Sequence, residues 1–337
     1  MNILIPAAGE GLRLRPHTLT RPKPLLRIAG KTVIDFVLEP LLALQPHDIA
    51  LVVGYRGQQL IEYLTDRYHR SFTMVEQDQL LGLGYAVLLG LEALDPDEDV
   101  LIILADTIIQ TDFREFVAAG ENTLALREVD DPRRFGVAET DNGRITRLVE
   151  KPADPQSNLA VVGLYYFKNP RPVKRALRSL VQSGRTSAGE VQLTDALQDM
   201  IQSGEPFTPH LIDGWLDCGK HETMLSTSRT LLADMAHQPP QRPGVTWRTP
   251  TLIDPSARVS NSTIGPNVTL YPGCEIIDST LENCIIGPGC KLTDCSLADS
   301  ILGERVTLAG VSGTVDIGDG GLTLADWEKQ QQAGRPE

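Results

Sequence analysis

No apolar run of about 18 residues occurs anywhere in the chain, so no membrane-spanning helix is expected. The N-terminus lacks a basic stretch followed by a long apolar one, so no secretory leader is expected either, and the expected location is cytoplasmic. Positive charge is in deficit. Against 44 Asp and Glu there are 31 Lys and Arg, a formal net charge of -13 that argues against general nucleic-acid binding. Cysteine is sparse: Cys218, Cys274, Cys284, Cys290 and Cys295 are the five, and their spacing matches no common zinc pattern. Histidine is missing altogether beyond His237, and the GK[ST] end of a P-loop is also missing. What is present is a 41% hydrophobic, 22% charged composition, that of a soluble globular protein, and 337 residues suggest two domains.

The first half alternates. Apolar runs such as "NILIPAA", "IALVVGY" and "DVLIILAD" read as buried strands, while "TVIDFVLEPLLAL", "QQLIEYL" and "YAVLLGLEAL" carry helical spacing. This alternation predicts βαβ units and a mostly parallel, Rossmann-like sheet with helices on both faces. Four prolines fall within 237–250, which therefore reads as a linker.

Beyond it a short repeat takes over. Hexads "IGPNVT", "LYPGCE", "IGPGCK" and "LGERVT" begin at Ile264, Leu270, Ile286 and Leu302, with units "NSTI", "DSTL", "NCII", "DCSL" and "DSIL" between them. A period of about 16 residues with an aliphatic side chain at each corner predicts a stacked β-helix. Within the repeat Cys274 and Cys290 take the slot of Val268 and Val306, and Cys284 and Cys295 that of Ser262 and Ser279. These thiols are expected to be small inward-facing side chains rather than metal ligands. The expected organisation is a catalytic domain over 1–236, a linker over 237–250, a β-helix over 251–324 and a polar tail over 325–337.

One segment stands against the acidic average. From Met1 to Lys31 there are six basic residues and a single acid, Glu10, a local +5. The stretch "PAAGEGLRLRPHTLTRPKPLL" follows the first strand, so its glycines lie at the carboxyl edge of a parallel sheet, where such folds bind ligands. Gly9 and Gly11 would let backbone N–H groups approach phosphate oxygens. Arg13 can clasp the same phosphates in forked geometry, and Lys23 is aimed by Pro22 and Pro24 on either side.

In this order the stretch resembles the signature of the sugar-1-phosphate nucleotidyltransferases, GxGTRLxPxTxxxPKPL. The nearest members resembled are the long glucose-1-phosphate thymidylyltransferase-like proteins with a C-terminal left-handed β-helix. Leu12 departs from the pattern, standing where the family has threonine or serine. The resemblance implies a nucleotide site of Ala8, Gly9, Gly11, Arg13, Lys23, Gln77, Gly82 in "LLGLGYA" and Asp106 in "LADTII". It implies a sugar-phosphate site of Gly136 in "FGVAE", Glu150 and Lys151 in "VEKP", Gly163 in "VGLYYF" and Glu190 in "GEVQLTDAL". Asp106 and Asp217, the latter in "GWLDCG", are the implied ligands of Mg²⁺, a hard cation suited to carboxylates and phosphate oxygens.

The implied reaction joins a nucleoside triphosphate to a hexose 1-phosphate, with pyrophosphate leaving. dTTP or UTP with glucose 1-phosphate is the favoured pair, and guanylyl transfer to mannose 1-phosphate the alternative. The nucleophile is a phosphate monoester already ionised near neutral pH, so no general base is required. Positioning and charge stabilisation by Arg13, Lys23 and Lys151 then carry catalysis. A catalytically inactive regulatory homologue would lack an aspartate or a lysine of this set, and all are present. A second, acetyltransferase activity is not expected, since the β-helix region contains no histidine to act as general base. A homo-oligomer is expected, with no nucleic-acid or membrane partner.

Overall fold

The structure, a computed structural model, describes residues 1–333; positions 334–337 of the expected polar tail lie outside the described residues. The chain divides into two compact units, one of Met1–Gly9 with Ile34–Leu216, the other of Glu10–Val33 with the chain from Asp217 onward.

The first unit is a nine-stranded mixed sheet with helices. Its strands are β1 (Asn2–Ala7), β2 (Ile49–Val53), β3 (Thr73–Glu76), β4 (Val100–Ile103), β5 (Thr123–Glu128), β6 (Gly136–Asp141), β7 (Arg144–Glu150), β8 (Leu159–Phe167) and β9 (Thr208–Leu211). The order across the sheet is β7-β6-β8-β4-β1-β2-β3, with β5 beside β8 and β9 beside β5. The N-terminal half is parallel: β1 runs alongside β2 and β4, and β2 alongside β3. Antiparallel β8 then joins β4, and hairpin-connected β6 and β7 extend that edge. β1, β2 and β4 are buried along their whole length, which is why they are continuous apolar runs rather than alternating ones.

Helices α1 (Val33–Leu42), α2 (Gly57–Tyr68), α3 (Leu83–Ala93), α5 (Arg171–Ser183) and α6 (Leu193–Gln202) accompany the sheet, with a short α4 (Phe113–Ala118). The Asp112 side chain caps α4, accepting from the backbone N–H groups of Arg114 and Glu115. One core joins Leu4, Val52 and Ile102 of the strands to Val87 and Leu91 of α3 and Leu193 and Leu197 of α6.

The second unit holds the basic N-terminal segment, α7 (His221–Ala233) and a parallel β-helix. Its strands stack in register: Val268 opposite Cys284 and Cys284 opposite Ser300, each 16 residues apart. The earlier coil is one residue longer, Thr251 lying opposite Val268. The ladder starts at Thr246–Trp247, which pairs with Thr263–Ile264, so the proline-rich stretch already contributes the first rung. Asn261, Asp278, Asn283, Asp294 and Asp299 all have positive φ, between 46° and 53°. They are the first residues of the five short units, and Asn and Asp are the side chains that best tolerate a left-handed corner. The four repeat cysteines are buried in the β-helix core with Val268 and Val306, and are free thiols. The polar tail begins as α8 (Leu324–Ala333).

Candidate active site

In the first unit the predicted nucleotide residues gather where the parallel strands end. Ala8 follows β1 and is buried against Gly54, the residue after β2; a Cβ on Gly54 would stand 2.9 Å from the Ala8 carbonyl oxygen. Gln77 follows β3, its backbone N–H bonded to the Val53 carbonyl at 2.8 Å, and its side-chain amide donates to the Gln79 carbonyl at 2.8 Å. Asp106 sits in the turn that leaves β4. That turn is tied to the end of β1 by Ala105 N–H to the Pro6 carbonyl, 3.4 Å, and to β8 by Leu104 N–H to the Gly163 carbonyl, 3.0 Å. Gly163 has φ of +84°, and a Cβ there would strike the Leu104 side chain at 2.7 Å, so its place in the fold is to let β8 close on the Asp106 turn.

Gly82 and Glu190 meet directly. The Leu81 carbonyl accepts from Val191 N–H at 2.7 Å, and the Val191 carbonyl from Gly84 N–H at 2.8 Å, zipping the two loops together. Gly82 has φ of +102°, and a side chain there would come within 2.6 Å of the Glu190 Cβ. The Glu190 carboxylate is exposed and accepts from the Gln192 amide at 3.2 Å.

The predicted sugar-phosphate residues form a second cluster. Glu150 ends β7 opposite Gly136 of β6. Thr194 at the start of α6 donates to Glu150 Oε2 at 2.7 Å, while Glu150 Oε1 lies 3.1 Å from the Lys151 ammonium. The Glu150 side chain is 11% exposed and that of Lys151 49%, so a buried carboxylate holds a cation that reaches solvent. A Cβ on Gly136 would stand 3.0 Å from Thr194 Oγ1 and 3.2 Å from Glu150 Oε2, so the bare backbone there is what leaves space beside the pair. Lys151 has φ of +44°, a conformation that side chains rarely adopt, held by its N–H to the Phe135 carbonyl at 2.9 Å. Thr194 escaped the sequence reading, although it stands in the quoted "GEVQLTDAL".

The second unit carries Gly11, Arg13, Lys23 and Asp217. Gly11 has φ of +66° and opens a 3₁₀ turn over Leu12–Leu14; two more, His17–Leu19 and Lys23–Leu25, follow, so the proline-broken segment is a series of single turns. Thr18 Oγ1 donates to the Gly11 carbonyl at 2.9 Å. Lys23 is buried, its Cβ beneath Gly11. Arg13 is exposed, and its guanidinium and the Asp217 carboxylate both close on Gly219: a Cβ there would lie 3.2 Å from Arg13 Nη2 and 2.8 Å from Asp217 Oδ1. The same Asp217 oxygen accepts from Gly219 N–H at 2.9 Å. Gly9, the last residue of the first unit's N-terminal segment, has open space where a side chain would stand, and Leu12 is 58% exposed.

The nucleotidyl transferase family model matches residues 2–234. The chain belongs to this family. The chain is 33% identical to glucose-1-phosphate thymidylyltransferase of Streptomyces griseus over 314 residues, 85% of this chain and 87% of that one. With the bifunctional protein GlmU of Methanocaldococcus jannaschii the identity is also 33%, over 69% of this chain but 54% of the relative. A solved structure of UDP-glucose pyrophosphorylase complexed with UDP-glucose matches at a TM-score of 0.61 and 27% identity, covering 69% of this chain and 99% of that one. This nucleotidyl transferase is thus an enzyme of the sugar-1-phosphate class. Among its described residues no helix is long and apolar enough to cross a membrane, and no group of three or more His, Cys, Asp or Glu converges as a metal cluster. Asp106, in the turn after β4 of the first unit, and Asp217 of the second unit are each carboxylates, the ligand type that a hard divalent cation takes.

Proposed function

We propose that the chain condenses a nucleoside triphosphate, dTTP or UTP, with glucose 1-phosphate, releasing pyrophosphate. The observation that carries this reading is the Thr194–Glu150–Lys151 arrangement beside Gly136. It offers a cation for a phosphate and a fixed carboxylate for hydroxyls within one residue of each other, which is what a sugar 1-phosphate requires. The similarity to the Streptomyces griseus glucose-1-phosphate thymidylyltransferase across 85% of this chain supports the choice of sugar and base.

In this reading the Gly9–Gly11 backbone and Arg13 and Lys23 take the triphosphate, with Ala8, Gln77 and Gly82 beside the nucleoside. Lys151 holds the sugar phosphate for in-line attack on the α-phosphorus, and Glu150, Glu190 and the backbone at Gly136 and Gly163 receive the hexose. Mg²⁺ held by Asp106 and Asp217 would supply charge neutralisation between the two polyanions. The ionised phosphate monoester is itself the nucleophile, so the residues orient and stabilise without taking a proton. Such substrates support a cytoplasmic place for the enzyme. A catalytic region over 1–236 joined through 237–250 to a β-helix, and assembly into a homo-oligomer, complete the proposal; light scattering checks the last.

The test is pyrophosphate release from a panel of dTTP, UTP, GTP, ATP and CTP against glucose, mannose and N-acetylglucosamine 1-phosphates, with and without Mg²⁺. Turnover with dTTP or UTP and glucose 1-phosphate, dependent on Mg²⁺, is expected. Preference for GTP with mannose 1-phosphate would overturn the choice of substrates, and silence across the panel would overturn the reading.

A further inference from the structure

The basic segment 10–33 is short of regular structure, yet it must present Gly11, Arg13 and Lys23 in one arrangement. Three single turns and a two-residue hairpin leave most of its backbone without a ladder. Ordering such a segment costs conformational entropy that something has to offset.

The far end of the β-helix supplies the contacts. Asp319 Oδ2 accepts from Thr20 Oγ1 at 2.6 Å and from Arg21 Nη2 at 2.7 Å and Nε at 3.2 Å. Arg21 Nη2 also lies 2.9 Å from Glu304, whose carboxylate reaches Arg27 at 2.9 Å. The other Asp319 oxygen accepts from the Glu304 backbone N–H at 2.7 Å, which fixes the carboxylate against the β-helix coil. One turn earlier in the segment, the buried His17 ring meets Asp316 at 2.6 Å. The approach depends on Gly303: a Cβ there would stand 2.5 Å from the Asp319 backbone nitrogen. The Asp319 side chain is only 12% exposed and that of Arg21 18%, so these bonds are shielded from water. Burial alone would raise the Asp319 carboxyl, but the bonds from Thr20, the Glu304 backbone and Arg21 hold it below the ordinary carboxylate range.

We propose that Asp319 is a positioning residue of the transferase. By gripping Thr20 and Arg21, which lie between Arg13 and Lys23 in the chain, it holds the triphosphate segment in its binding conformation, so that the β-helix serves nucleotide binding. This rests on the reading of segment 10–33 as the triphosphate site. Asp319 touches no substrate, and its loss acts through Arg13 and Lys23.

The test uses the full chain with Asp319→Ala, Asp319→Glu and Arg21→Ala. The expected result for Asp319→Ala is a rise of about tenfold in KM for the nucleoside triphosphate, the scale of lost bonds to a charged group, with KM for the sugar 1-phosphate changed less than about twofold. Asp319→Glu recovers part of the loss, and the Asp319→Ala/Arg21→Ala double variant is no worse than the poorer single one. Trypsin gives a readout that needs no turnover. Leu14 is buried, so cutting at Arg13–Leu14 requires the segment to open, and Asp319→Ala speeds that cut while triphosphate slows it. Unchanged cutting, or an equal rise in both KM values, overturns the proposal while the wild type stays active. A wild type silent on the substrate panel overturns the underlying reading instead, and Asp319 falls with it as a positioning residue.

Discussion

Thr194 Oγ1 donates a 2.7 Å hydrogen bond to Glu150 Oε2, and the other oxygen of that carboxylate faces the Lys151 ammonium at 3.1 Å. The hydroxyl at the start of α6 therefore orients the group that β7 delivers. Thr194→Val keeps the shape and removes the donor, leaving a buried carboxylate short of one partner. A loss of about 2 kcal/mol is expected, read as a rise in KM for the sugar 1-phosphate of more than about tenfold, with Thr194→Ser close to wild type. Equal kinetics in Thr194→Val and wild type would show that Glu150 is held by other means.

Gly9→Ala and Gly11→Ala separate ligand from fold. At Gly11 the backbone is left-handed and a Cβ meets Thr18 Cγ2 at 2.8 Å, so alanine costs at least about 1 kcal/mol and lowers the melting temperature. At Gly9 the protein leaves the space open. Gly9→Ala is expected to melt like wild type and yet bind triphosphate more weakly, as seen by titration calorimetry. Unaltered affinity would mean that the phosphates do not approach there.

Asp106→Ala and Asp217→Ala are expected each to lower kcat by about 10² or more, comparable to the loss of a charge-stabilising donor in other enzymes. Chelation of divalent ions should abolish turnover in the wild type and Mg²⁺ should restore it. A wild type indifferent to chelator would remove the metal assignment for both carboxylates.

The thiols give a prediction with a defined pH sign. Burial pushes Cys274 and Cys284 up to about 11 and Cys290 up to about 12, above the 9.0 of an unperturbed thiol. They are neutral in the fold, so a thiol reagent at pH 8 should label them only after denaturant is added. Because the folded values are raised, their contribution to stability is present below pH 9 and is lost as pH rises from there through about 11 for Cys274 and Cys284 and about 12 for Cys290. Rapid labelling of the native protein at pH 8 would contradict the buried β-helix slots.

Much of this architecture could be read from residue patterns. Continuous apolar runs announced β1, β2 and β4 because parallel strands covered on both faces need no alternation. The hexads announced the β-helix, and even the Asn or Asp that opens each short unit has its reason in the left-handed corner at Asn261, Asp278, Asn283, Asp294 and Asp299. The exact period was less legible, since the coil from Thr251 to Val268 takes one residue more than the later ones. Thr194 could not be singled out, because a threonine that opens a helix has the same local signature whether it caps a backbone or pins a distant carboxylate.

The sequence by itself determined the family, the sheet and the repeat, because each is written in local spacing and in a signature whose residues are neighbours in the chain. Only the tertiary structure decided that segment 10–33, encoded beside β1, is compact with the β-helix, where Asp316 and Asp319 meet His17, Thr20 and Arg21 across some 299 residues of chain. Partners so far apart in sequence leave no periodic trace. Their pairing follows from where the last coil of the stack ends, and from the absence of a side chain on Gly303 that lets Asp319 come close.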